Sequence, residues 1–111
     1  MDRVERYREL VKQALEEIAE EVPEDKNVRT ELIFDENRDH YEVMQVGWDG
    51  QYRVHGTLVH CDIVDGKIHI EHNGTYIDIA EFFVKNGVPH DQIVLGFNPP
   101  ELRQYTEFAV A

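Results

Sequence analysis

"LVHCDIVDGKIHIEHN", Leu58 to Asn73, is the segment from which the architecture of this chain is best built. Asp65-Gly66 stands at its centre between two apolar runs, a strong signal for a two-residue hairpin turn. With the turn at 65–66, Val64 pairs with Lys67, Ile63 with Ile68, Asp62 with His69 and His60 with Glu71. That register sets Val59, Cys61, Ile63, Ile68, Ile70 and His72 on one face, which reads as core. His60, Asp62, His69 and Glu71 share the other face. Two imidazoles and two carboxylates in one patch form a donor set for a divalent metal. Ordinary cross-strand pairing accounts for the same four residues without one, and a one-residue bulge would scatter them over both faces. A flat sheet face also lacks the concavity of a small-molecule site. No cofactor is expected.

Upstream, a second Asp-Gly pair, Asp49-Gly50, separates His40–Trp48 from Gln51–Ile63, two runs rich in Val, Tyr and Thr. Val28–Phe34 alternates in polarity, and Asp35-Glu36-Asn37-Arg38 offers the intervening turn. Together these runs predict a four-stranded antiparallel meander. Ahead of it, Val4, Tyr7, Leu10, Val11, Ala14, Leu15, Ile18 and Val22 recur at steps of three and four, the stripe of an amphipathic helix over residues 3–22. The stripe lasts under three heptads, so it reads as core packing rather than a coiled-coil seam. Pro23 ends it, because the residue before a proline is pushed out of the helical region.

Downstream, a second helix is expected over about residues 75–86, with Thr75 as N-cap, Asp78 at N3 and Gly87 at C′. Ile93-Val94-Leu95 is short and wholly apolar, as a buried strand would be. Pro99-Pro100 then redirects the chain into a C-terminal tail. The expected class is α+β, one domain over residues 1–111: N-terminal helix, four-stranded meander, second helix, short strand and extended tail. Tyr105, Phe108 and Val110 are apolar for a chain end, so the tail is expected to be buried and extended from Arg103 to Val110. It would dock on its own sheet or exchange with a second copy, which makes a homo-oligomer an open possibility. Arg103 is expected to meet a carboxylate such as Asp35 or Asp39.

Charge narrows the function. Eleven Lys and Arg stand against 23 Asp and Glu, a net charge of −12. Such a body repels phosphate backbones and favours a basic protein partner. Along the first helix the basic residues come first, and Glu16, Glu17, Glu20 and Glu21 come last, an order that opposes the helix dipole. With Glu24 and Asp25 they form an acidic run that is either a solvated face or a partner-binding patch. Trp48, Arg103, Tyr105 and Phe108 are further candidates for partner contact. Aromatics near arginines, such as Tyr52 with Arg53, are a stacking surface for single-stranded nucleic acid, but no basic groove accompanies them. No nucleophile motif, phosphate-cradling glycine loop or zinc-ligand spacing occurs, so catalytic residues are not assigned. Cys61 is alone, no signal-like or membrane-spanning apolar run is found, and a cytoplasmic protein without membrane contact is expected.

Four segments carry a family resemblance: "ERYRELVKQAL", "FDENRDHYEVMQVGW", "LVHCDIVDGKIHIEHNGT" and "VPHDQIVLGFNPPELRQYTEFAVA". In this order and nearly end to end, they resemble the XisI family, the fdxN-element excision controlling factors of cyanobacteria. Two departures are visible. Many members carry Trp where His69 stands, and Asp-Gly-Thr-Glu in place of Asn73-Gly74-Thr75-Tyr76. The resemblance implies a non-enzymatic accessory factor in site-specific DNA excision during heterocyst differentiation. It also implies a XisH-like partner and a separate recombinase complex. Because XisH looks nuclease-like, an antitoxin-like inhibitor of that partner is the alternative, and a small metal-dependent enzyme is a weaker one.

The acidic balance predicts no stable binding to duplex DNA at physiological salt. Anisotropy titration at about 150 mM salt should show none in the sub-micromolar range, and a tight isotherm there would contradict the charge argument.

Overall fold

In a computed structural model that describes residues 2–111, Asp65 and Gly66 take φ of 51° and 76° and close the expected two-residue turn. Around it lie helix α1 (Arg3–Glu21), strands β1 (Val28–Asp35), β2 (His40–Asp49), β3 (Tyr52–Val64) and β4 (Lys67–Asn73), helix α2 (Ile79–Lys85) and strand β5 (Ile93–Leu95). The strands form one sheet in the order β1-β2-β3-β4-β5. The first four are the antiparallel meander, and β5 joins β4 in parallel. A parallel neighbour needs a crossover connection, and α2 lies in that connection. The fold is therefore α+β, with a mostly antiparallel five-stranded sheet.

Helix α1 begins at Asp2, whose carboxylate accepts from the Glu5 backbone N–H at 2.8 Å. Its stripe of Tyr7, Leu10, Val11, Ala14, Leu15 and Ile18 is buried against the sheet. The sheet presents Tyr41, Val43, Val59, Cys61, Ile63, Ile68, Ile70 and Ile93 to the same core, and α2 adds Ile79 and Phe83. Asp39 ties these layers together. Its carboxylate accepts from Arg8 Nε at 2.8 Å, Arg8 Nη2 at 3.1 Å and the buried Tyr41 hydroxyl at 2.8 Å. Its backbone carbonyl accepts from Ile63 N–H at 3.0 Å.

Several boundaries move. The β2–β3 turn is Gly50-Gln51, not Asp49-Gly50: Asp49 pairs with Tyr52, and Gly50 carries the positive φ of 60°. Helix α2 starts at Ile79, because Thr75 is held in a turn. Asn73 Oδ1 accepts from the Thr75 N–H and hydroxyl at 2.9 and 2.7 Å, and Asp78 becomes the N-cap.

The tail departs further from expectation. Residues Pro100–Tyr105 form a 3₁₀ helix, with Pro100 suited to its first turn. Only beyond it does the chain run along the sheet, where Ala109 bridges Val94 and donates to the Ile93 carbonyl at 2.9 Å. Phe108 packs against the core edge, with its ring 5.3 Å from that of His90. Tyr105 and Val110, expected to be buried, are 79% and 55% exposed. Among the described residues Arg103 meets no carboxylate. Its guanidinium donates to the carbonyls of Asn98, Gly96 and Val110, while Asp39 is taken by Arg8.

Phe108→Ala should therefore lower the stability by roughly 2 kcal/mol, part of the full cost of a buried phenylalanine. Tyr105→Ala should stay within about 0.5 kcal/mol of the parent. Urea denaturation of both variants checks the order, and equal losses would contradict this placement of the tail.

Candidate functional site

The sheet has two unlike faces. The helices cover the face that carries Tyr41, Val43, Cys61 and Ile70. By strand alternation the opposite face carries His40, Glu42, Met44 and Trp48 from β2, His60 and Asp62 from β3, and His69 from β4. Two bulges decide which of these groups meet. Leu58 is extra on β3 against β2, since Val43 pairs with Val59 but Met44 with Thr57. Glu71 is extra on β4 against β3, since Cys61 pairs with Ile70 but His60 with His72.

The β4 bulge breaks up the four-residue patch expected from sequence. Asp62 does lie opposite His69, but Glu71 leaves the register and its carboxylate packs against Gly96. His69 Nδ1 and Glu71 Oε1 stand 3.7 Å apart, and burial pushes the His69 pKa down. The β3 bulge brings in a residue that sequence reasoning missed. His40 falls opposite Asp62, and its Nδ1 lies 2.8 Å from Asp62 Oδ1. His60 Nε2 lies 2.6 Å from the same oxygen. The nitrogen of each imidazole and the Asp62 oxygen all fall within 4.8 Å of one another. The hydrogen bond to Asp62 raises the His40 pKa. Finding His40 from sequence required both the one-residue slide of the Gly50-Gln51 turn and the Leu58 bulge.

The acidic run occupies a second surface. Glu16, Glu17, Glu20, Glu21, Glu24 and Asp25 are all exposed, and none has a cation partner among the described residues. Glu17 only accepts from Gln13 at 3.2 Å, and Asp25 from the Asn27 N–H at 2.8 Å. Beside this run, between α1 and α2, lies an apolar groove of about 390 Å³. Ile18, Ile77, Ile79 and Phe82 form its floor, and Glu17 and Glu21 are its charged lining residues. Tyr76 stands fully exposed near its end.

The remaining candidates lie apart from the groove lining. Trp48 is half exposed at the β2–β3 hairpin end, with the Arg53 guanidinium 5.3 Å from its ring centroid. Arg103, Tyr105 and Phe108 belong to the tail, where Arg103 and Phe108 hold the segment to the sheet and Tyr105 is free in solvent. Cys61 is wholly buried, and burial pushes its thiol pKa up, so it is inert as a nucleophile. Among the described residues, no helix is long and apolar enough to cross a membrane.

A family model described as "XisI protein" matches residues 1–110. The crystal structure of a XisI-like protein from Anabaena variabilis ATCC 29413 is similar at a TM-score of 0.93 and 44% identity, covering 97% of this chain and 99% of that one. The fdxN element excision controlling factor XisI from the same organism is similar at 0.88 and 34% identity, covering 99% of this chain and 100% of that one. A comparison with curated proteins finds no match.

Proposed function

Because the chain belongs to the XisI family, we propose that it is a non-enzymatic controlling factor for excision of an fdxN-type DNA element, acting through protein contacts. Its Anabaena relative is named as a controlling factor of excision, which supports the role. The contact we assign is the acidic end of α1 with the groove beside it, and the partner is a XisH-like protein that works with the recombinase.

One observation carries this assignment: a row of acids without cation partners among the described residues borders an apolar groove. The last turn of α1 has no basic residue, so its glutamates act against the helix dipole. Charges that oppose the local preference of the fold and still stand exposed beside apolar surface are expected at functional surfaces. A basic partner gains twice there, by long-range attraction and by covering the groove floor. The net charge of −12 argues in the same direction, since direct phosphate contact is unfavourable.

The same observation favours a second reading, an antitoxin-like inhibitor of a XisH-like nuclease. A surface of exposed carboxylates competes with nucleic acid for a basic cleft.

Replacing Glu16, Glu17, Glu20 and Glu21 together with Gln tests the surface. Affinity for a XisH-like protein should fall by about tenfold at low ionic strength, chiefly through the association rate, and the loss should shrink as salt rises. Equal affinity at low salt would return these residues to ordinary solvation. A nuclease assay of the partner with and without this chain separates helper from inhibitor.

A further inference from the structure

The acidic helix leaves unexplained the group on the opposite face of the sheet. Two imidazoles converge there on one carboxylate oxygen, His40 Nδ1 at 2.8 Å and His60 Nε2 at 2.6 Å from Asp62 Oδ1. From this geometry we propose that His40, His60 and Asp62 form a binding site for a divalent first-row transition metal ion, of the zinc or cobalt class.

The donor set is the first argument. Two imidazole nitrogens and one carboxylate oxygen suit Zn²⁺, Co²⁺ and their neighbours, and with three protein ligands the remaining positions go to water. Cys61 lies between His60 and Asp62 in sequence but points into the core, so no thiolate enters the set.

Distance is the second. Metal bonds of about 2.0–2.2 Å at tetrahedral angles place neighbouring ligand atoms about 3.3–3.6 Å apart. The two nitrogen–oxygen spacings are shorter by about 0.5–1 Å, as hydrogen bonds are, and the two nitrogens lie within 4.8 Å of each other. Each imidazole that now shares a proton with Asp62 would lose it to solvent or to its other ring nitrogen, and side-chain rotations would then open the spacings to seat the ion. Both ring nitrogens already converge on the same Asp62 oxygen.

Placement is the third. The ligands sit on adjacent hydrogen-bonded strands, which hold them more firmly than loops do. Their side chains grade from Asp62, 15% exposed, through His60, 30%, to His40, 54%, so the site has a fixed base and an open side for water. Glu42 pairs across from His60, with its carboxylate held by the Thr57 hydroxyl at 2.8 Å. It adds negative potential next to the ion. His69 faces Asp62 from β4.

The test uses the untagged full chain, stripped with chelator and titrated with ZnCl₂ by calorimetry and with Co²⁺ by visible absorption. One equivalent should bind with micromolar or tighter affinity, and the cobalt spectrum should show imidazole ligation. His40→Gln, His60→Gln and Asp62→Asn should each weaken binding at least about tenfold, as loss of a ligand does. His90→Gln, remote in the fold, should leave it unchanged. His40 is half exposed, so its variant stays folded and remains informative if the others do not. Binding that is weaker than micromolar, or that His40→Gln and His60→Gln leave within twofold, overturns the assignment.

Discussion

The carboxylate of Asp39 accepts from Nε and Nη2 of the Arg8 guanidinium and from the Tyr41 hydroxyl, and the rest of the architecture is organised about that junction. Tyr41 is fully buried, so its hydroxyl must find a partner inside the protein; leaving it unmade would cost about 1–3 kcal/mol. Asp39 is the partner it has. The Arg8 guanidinium holds the Asp39 carboxyl below the usual carboxylate range, so it remains an acceptor. Its backbone sits at a φ of 58°, a conformation aspartate tolerates better than most residues, and turns β1 into β2. Through its carbonyl it also reaches Ile63 on β3. One residue therefore joins α1, the first hairpin and the central strand.

The same junction orients the two faces of the sheet. With Tyr41 pinned inward, strand alternation sends His40 outward, towards Asp62 and His60. The helices then cover the inner face, and the outer face carries the histidines and carboxylates along with Met44 and Trp48. This division explains why the sheet can place histidines and carboxylates side by side without burying them completely. The acidic end of α1 belongs to a different part of the surface, so a protein contact there and an ion on the sheet need not compete.

Much of this was legible in the sequence because it rests on local chemistry. The stripe from Tyr7 to Ile18, the Asp65-Gly66 turn and the pairing of Ile63 with Ile68 follow from periodicity and turn residues. Register beyond the first bulge was not legible. Glu71 looked like a neighbour of His60 because nothing in the sequence marks a bulge, and Leu58 likewise concealed the approach of His40. Thr75 has the chemistry of a helix cap, but Asn73 captures its hydroxyl first. Tyr105 was misplaced by reading apolar character as burial, a rule that runs only one way. The acidic run was evident from sequence, whereas the groove beside it required α1 and α2 to be packed.

A double-mutant cycle at the Asp39 junction tests the account most directly. Asp39→Gly removes the carboxylate and keeps the positive φ accessible, and Tyr41→Phe removes the hydroxyl and little else. Unfolding free energies of the two single variants and the double should be non-additive, with a coupling of about 1 kcal/mol or more, because the second change finds its partner already gone. Additivity to within about 0.3–0.5 kcal/mol would show that the Tyr41 hydroxyl does not depend on Asp39, and would contradict the account of the junction.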